Sequence, residues 1–253
     1  MKKGNILANK MHSNTPSYGI FMTLYDPGVA SILADSGFDW IFVDAEHSPF
    51  SDRDIEALVN ILRDRETVPV IRIREARAGE IKFALDCGAG GVIVPQLRTL
   101  EDFKNIVAWG KYPPLGRRGY SPLRATDFWT DKDIYDARAN VDTLVIGQVE
   151  CPEAVEIIDD IVCLEGLDGI FIGPSDLSWE MGKRGDMSHP DVQAAVSMVI
   201  AAAERQGLPW GIPCANADDL KLRVSQGGLI LTISSDSRLI KSGATAITCN
   251  INN

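Results

Sequence analysis

The stretch LVIGQVECPEAVEIIDDIVCLEGLDGIFIGPSD, residues 144–176, decides the fold. A run rich in β-branched residues, Leu144 to Val149, gives way to a segment with helical spacing, about Pro152 to Leu164, and then to a second run, Gly169 to Ile172. Short apolar runs separated by longer helical segments are the pattern of parallel strands joined by crossover helices. Both runs also end in polar residues, Glu150 after the first and Gly173-Pro174-Ser175-Asp176 after the second.

Working outward, six more such runs appear, at Tyr18 to Thr23, Trp40 to Val43, Val68 to Ile73, Gly91 to Val94, Pro209 to Ile212 and Leu229 to Ile233. The helical stretches between them are about Pro27 to Ser36, Ser51 to Arg65, Gly79 to Cys87, Leu100 to Trp109, Pro190 to Gln206, Asn216 to Ser225 and Ser237 to Ser242. Ser51 with Asp54 forms a capping-box pattern, Pro27, Pro152 and Pro190 suit first helical turns, and Gly88 and Gly207 suit helix exits. Eight such units in 253 residues predict a single (β/α)8 barrel spanning residues 1–253. Residues 1–17 form an N-terminal extension. Lys111 to Asp142 is too long for an ordinary connection and is expected to be a lid, to carry a small helix, or to pack on a partner subunit.

Composition narrows the functional classes. Twenty-five Lys and Arg stand against 35 Asp and Glu, a formal charge of -10, and no basic run supplies the stripe that nucleic acid or an anionic membrane requires. No stretch is apolar for the roughly 18 residues that span a bilayer, so the reading is a cytoplasmic protein. Five scattered cysteines without CxxC spacing predict neither a disulfide framework nor a zinc knot, and are read as small buried residues.

In a barrel of this kind chemistry sits beyond the carboxyl ends of the strands. Asp44-Ala45-Glu46-His47, Arg72, Gln148-Val149-Glu150 and Gly173-Pro174-Ser175-Asp176 all fall there. Glu150 and Asp176 offer hard oxygen ligands suited to Mg2+ or Mn2+, and the alternative is that they cap the helices that follow. His47 is the one histidine of three expected at the mouth, where it would move protons near neutral pH, or else serve as a loop-bonding surface residue. Arg72, inside an apolar strand, either closes a structural ion pair or stabilises developing negative charge. Asp86 either ends a helix or orients His47. No lysine lies at a strand end for a Schiff base, and Ser234-Ser235-Asp236 is the only phosphate-binding candidate near the last two strands.

FVDAEHSPF (42–50), PVIRIRE (69–75), LDCGAGGVIVPQ (85–96), YPPLGRRG (112–119), GQVECPEAVEIIDDI (147–161) and GLDGIFIGPSDLS (166–178), in this order, resemble the HpcH/HpaI family of metal-dependent class II pyruvate aldolases. The resemblance runs from about Tyr18 to Asp236. It implies a divalent metal (Mg2+, Mn2+ or Co2+) and reversible cleavage of a 4-hydroxy-2-oxo acid to pyruvate and an aldehyde. By motif, it makes His47 the catalytic base, Arg72 the stabiliser of the enolate and Asp86 the partner of His47. It likewise makes Gln148 a substrate contact, Glu150 and Asp176 the metal ligands, and the Ser175 backbone a contact of the substrate carboxylate. It implies a homo-oligomer, a trimer or hexamer, although the C-terminal helix that members exchange between subunits looks short or shifted here. YSPLRATDFW after YPPLGRRG departs from the simplest hydroxy-ketoacid aldolases and leaves the acceptor open. Competing readings are an oxaloacetate decarboxylase, an acyl-CoA lyase using Arg117, Arg118 and Arg124, and a non-catalytic keto-acid-binding barrel.

Overall fold

In the computed structural model, which describes residues 4–251, the eight runs pair in chain order into a closed parallel barrel, the last strand returning to the first. The strands are β1 (Ser17–Met22), β2 (Trp40–Asp44), β3 (Val68–Arg72), β4 (Gly91–Val94), β5 (Leu144–Val149), β6 (Gly169–Ile172), β7 (Trp210–Cys214) and β8 (Ile230–Ser235). The helices are α1 (Ile6–His12), α2 (Pro27–Ala34), α3 (Asp52–Asp64), α4 (Ala78–Asp86), α5 (Leu100–Gly110), α6 (Lys132–Asp142), α7 (Pro152–Glu156), α8 (Ile158–Ile161), α9 (Pro174–Glu180), α10 (Pro190–Gln206), α11 (Ala217–Ser225) and α12 (Asp236–Ile251). Bounds match the sequence reading at β4, β5, β6 and α10 and differ by a residue or two at most other ends, as helix and strand ends do. Among the described residues no helix is long and apolar enough to cross a membrane.

Alternation along each strand decides what enters the barrel. Trp40 and Phe42 of β2, Val68 and Val70 of β3, and Leu144 and Ile146 of β5 belong to one buried cluster inside it. Ile41, Val43, Ile71 and Val145 belong to the layer beneath the helices. Continuing each inward series by two residues reaches Asp44, Arg72 and Gln148, all buried. The interior therefore changes from apolar to charged at the carboxyl ends of the strands.

Local chemistry accounts for the helices. Ser51 and Asp54 make the expected capping box at α3, and Thr99 and Asp102 make a second at α5. Gly207 ends α10 at a φ of 68°, a left-handed position that glycine adopts without cost.

Four expectations change. The Pro152 to Leu164 segment is two short helices rather than one, broken at Ile157 so that Val155, Ile158 and Ile161 all reach the core. The extension holds α1, whose Leu7, Ala8 and Met11 close the amino-terminal end of the barrel, while buried Asn5 bonds the carbonyls of Gly90 and Asp142. The last helix continues to Ile251, because only Gly243 interrupts its helix-compatible sequence, at a cost of about 1 kcal/mol. Finally, of the three readings of the Lys111 to Asp142 segment the small helix is met, by α6, while the lid is not, since the segment does not cover its own mouth. It follows the carboxyl end of α5 and lies on the outer wall, where Ala125 N–H bonds Asp86 O and Arg63 bonds the carbonyls of Arg124 and Ala125. Buried Lys111 pins it, donating to the carbonyls of Asn140 and Thr143 and pairing with Asp168 at 2.6 Å.

Candidate active site

At the mouth, β2 and β3 are in register so that Asp44 lies beside Arg72. The guanidinium makes a bidentate pair with Asp44, Nε to Oδ1 at 2.9 Å and Nη2 to Oδ2 at 2.8 Å. Its Nε also stands 3.3 Å from Glu46 Oε2, and the group lies over the Phe42 ring at 5.3 Å. Burial alone would lower the Arg72 pKa, but the Asp44 bond and the charges of Asp44, Glu46 and Glu150 outweigh it and hold the group above its ordinary value. The ion pair of the first account of Arg72 is present, and the same pairing holds the guanidinium at the mouth.

Glu150 follows Gln148 on the inward face of β5 and is 5% exposed. Its Oε1 accepts the backbone N–H of Gln96 at 2.6 Å, and Gln148 Nε2 donates to its Oε2. Gln148 Oε1 is buried without a partner. Gly173 permits this packing, since a Cβ there would stand 2.8 Å from Glu150 Cβ and 2.9 Å from its Oε2. Burial raises the Glu150 pKa; the Gln96 and Gln148 bonds oppose the rise, and the nearby charges of Glu46 and Asp176 add to it. Burial likewise raises that of Glu46, with Arg72 and His47 pulling it down.

Asp176 sits in the first turn of α9, exposed, and makes no hydrogen bond or ion pair with described residues. Neither carboxylate caps a helix: the N-cap positions of α7 and α9 belong to Cys151 and Gly173, without side-chain bonds. Glu46, His47, Gln96, Arg98, Glu150, Cys151, Asp176 and Glu180 line one cavity of about 250 Å3. Its hard carboxylate oxygens, with Glu46 and Asp176 raising the cost of ionising Glu150, are of the chemical type that suits a divalent cation. Among the described residues no three His, Cys, Asp or Glu side chains stand together in a metal-holding group.

His47 is exposed at the mouth, its backbone N–H donating to Asp44 Oδ1 at 3.3 Å and its Nε2 lying 3.7 Å from Glu46 Oε2. The carboxylate beside it is Glu46, not Asp86. Asp86 ends α4 remote from the mouth and accepts a 2.6 Å bond from Arg118. Ser175 lies exposed next to Asp176.

Gln96, Glu46 and Arg98 were not singled out from the sequence. Gln96 holds a left-handed backbone, φ 59°, from which its amide reaches Glu150 and its side chain reaches Glu46 Oε1 at 3.0 Å. No residue pattern signals that geometry. Glu46 was findable, because Trp40, Phe42, Asp44 and Glu46 continue one alternation. The phosphate candidate is closed: Asp236 itself accepts the Thr23 and Leu24 amides. The basic groove for an acyl-CoA is also missing from the mouth, since Arg118 pairs with Asp86 and Arg124 with Glu56 on the outer wall. Cys87, Cys151 and Cys214 are buried as expected, the last with its thiol pushed up to about 12 by burial, but Cys163 and Cys249 are exposed.

The model of the family described as HpcH/HpaI aldolase/citrate lyase matches residues 17–242. A 4-hydroxy-2-oxo-heptane-1,7-dioate aldolase of Salmonella dublin is 32% identical over 244 residues, 96% of this chain and 93% of that protein. An HpcH/HpaI aldolase/citrate lyase family protein from Burkholderia cenocepacia J2315 superposes with a TM-score of 0.92 at 29% identity, covering 98% of this chain and 100% of the other. An HpcH/HpaI aldolase from Desulfitobacterium hafniense DCB-2 does so at 0.90 and 30% identity, covering 98% and 97%.

Proposed function

The chain belongs to the HpcH/HpaI aldolase/citrate lyase family, and from that membership we propose reversible aldol cleavage of a 4-hydroxy-2-oxo acid to pyruvate and an aldehyde, with a divalent cation held by Glu150 and Asp176. By activity class it is an aldolase, a carbon–carbon lyase. The observation that carries the residue assignment is the cavity that Asp176, buried Glu150 and His47 line together, with His47 following β2, the strand beside the one that ends in Arg72.

A bound Mg2+, Mn2+ or Co2+ supplies Lewis-acid stabilisation of the oxygen that becomes the enolate. Arg72, held by Asp44, faces the same developing charge. Gln148, whose side-chain amide stands beside Glu150, contacts the keto-acid half through its N–H donors, and the Ser175 backbone meets its carboxylate. His47 takes the proton of the C4 hydroxyl as the C3–C4 bond breaks; the bonding pair passes into the enolate, and C3 then takes a proton to give the methyl of pyruvate. In the other direction His47 returns the proton to the new alcohol. Glu46, between His47 and Arg72, keeps both side chains in place.

α12 leaves Leu239, Ile240, Ile247 and Ile251 exposed, which supports a homo-oligomer, a trimer or hexamer, built through this helix. Five unpaired cysteines suit a reducing cytoplasm.

The test is exchange of pyruvate methyl protons in deuterated buffer, followed by NMR with Mg2+ or Mn2+ and with chelator. Metal-dependent exchange and aldehyde-dependent product are expected. Absence of exchange would leave only a binder, and pyruvate release from oxaloacetate without any aldol activity would favour the decarboxylase.

A further inference from the structure

Arg98, in the loop after β4, lies in the wall of the cavity together with Glu180 at the end of α9. Its Nη2 is 2.7 Å from Glu180 Oε1, and its Nη1 is 3.0 Å from Glu153 Oε1 on α7. The backbone of the loop is fixed as well, since Arg98 N–H donates to the capping carboxylate of Asp102 at 3.1 Å. The bracket therefore joins three mouth loops in one arrangement. It consists of one cation between two anions, a net single negative charge.

Depth orders the cavity. Glu150 is buried at its inner end, whereas Arg98 and Glu180 are nearly half exposed at the outer end. On the aldolase reading above, the keto-acid half takes the inner end, so the substituent of the aldehyde extends outward past Arg98. We infer that the Glu153–Arg98–Glu180 bracket selects the acceptor by charge, favouring an uncharged aldehyde over one that carries a carboxylate. The guanidinium already holds Glu180 through both Nη atoms and Glu153 through Nη1, so an acidic acceptor that approaches this one cation also meets two carboxylates.

The experiment uses matched four-carbon acceptors, butanal and 4-oxobutanoate, with saturating pyruvate and fixed Mg2+. The quantity read is the acid-to-neutral ratio of kcat/KM in the wild type, Arg98→Ala and Glu180→Gln. The wild type is expected to favour butanal. Glu180→Gln, which removes a negative charge and releases one edge of Arg98, raises the acid-to-neutral ratio by about threefold or more, and Arg98→Ala lowers it by a similar factor, the size expected for one screened charge at a rim. Both substitutions break the same ion pair, so a purely structural role would move the ratio in one direction for both. Shifts of the same sign, or a wild type that favours 4-oxobutanoate, overturn the inference and leave the aldolase standing. No condensation with either acceptor overturns the aldolase reading together with it.

Discussion

Removing a single side chain at this mouth has a cost that depends on what it leaves behind. His47 is exposed, with its backbone N–H on Asp44 and its imidazole 3.7 Å from Glu46, so His47→Ala should lose most of the aldol turnover while circular dichroism and melting temperature stay near wild type. Near-normal turnover would refute its role as base. Arg72→Ala also loses turnover, but it strands Asp44 as a buried unpaired charge and should destabilise the fold by about 3 kcal/mol in urea titration. Arg72→Ala with Asp44→Ala should recover much of that stability and none of the activity; recovery of activity would remove Arg72 from the chemistry. His47, Glu150 and Asp176 were legible as residues because each follows a strand end, and Arg72 because it is a cation inside an apolar strand. Their partners were less so: that Asp44 rather than a distant carboxylate pairs with Arg72 depends on the β2–β3 register, which one sequence does not print. Within one chain Asp86 does not reach its own His47, because α4 carries it to Arg118, a placement that sequence order does not signal.

Among elements, α5 shows how a helix start serves the site. Asp102 Oδ2 accepts from the Thr99 amide at 2.8 Å, the Thr99 hydroxyl at 2.8 Å and the Arg98 amide at 3.1 Å. Partial burial opposes ionisation, but these bonds prevail and hold its pKa below the usual 3.8. A depressed carboxylate contributes stability that is complete above its unfolded pKa and lost as pH falls through the folded one. Asp102→Asn is therefore expected to cost about 1 kcal/mol at pH 7, with the gap to wild type closing as the solution is acidified below about pH 4. Urea titrations at the two pH values check it, and a gap that stays constant would assign the effect to something other than the ionised cap. The box at Ser51 and the strands were legible because their signals are local. The break at Ile157 was not, because it is driven by which isoleucines the core receives.

For the molecule as a whole, the barrel followed from its eightfold rhythm, whereas α1 and the outer-wall placement of Lys111 to Asp142 depend on contacts far apart in the chain. α12 meets its own barrel mainly at β1 and β8 and carries its apolar residues into solvent. If the proposed oligomer forms through this helix, Ile240→Glu with Ile247→Glu should lower the sedimentation coefficient; an unchanged coefficient would overturn α12 as the interface. The other end of the barrel bears on kinetics. With α1 seated under a solid interior, traffic has one door, and whatever lies deepest leaves last. The aldehyde should then depart before pyruvate, so that in the cleavage direction pyruvate competes with substrate and the aldehyde gives mixed inhibition. A plug of three apolar side chains at one end thus sets the sequence of departures at the other.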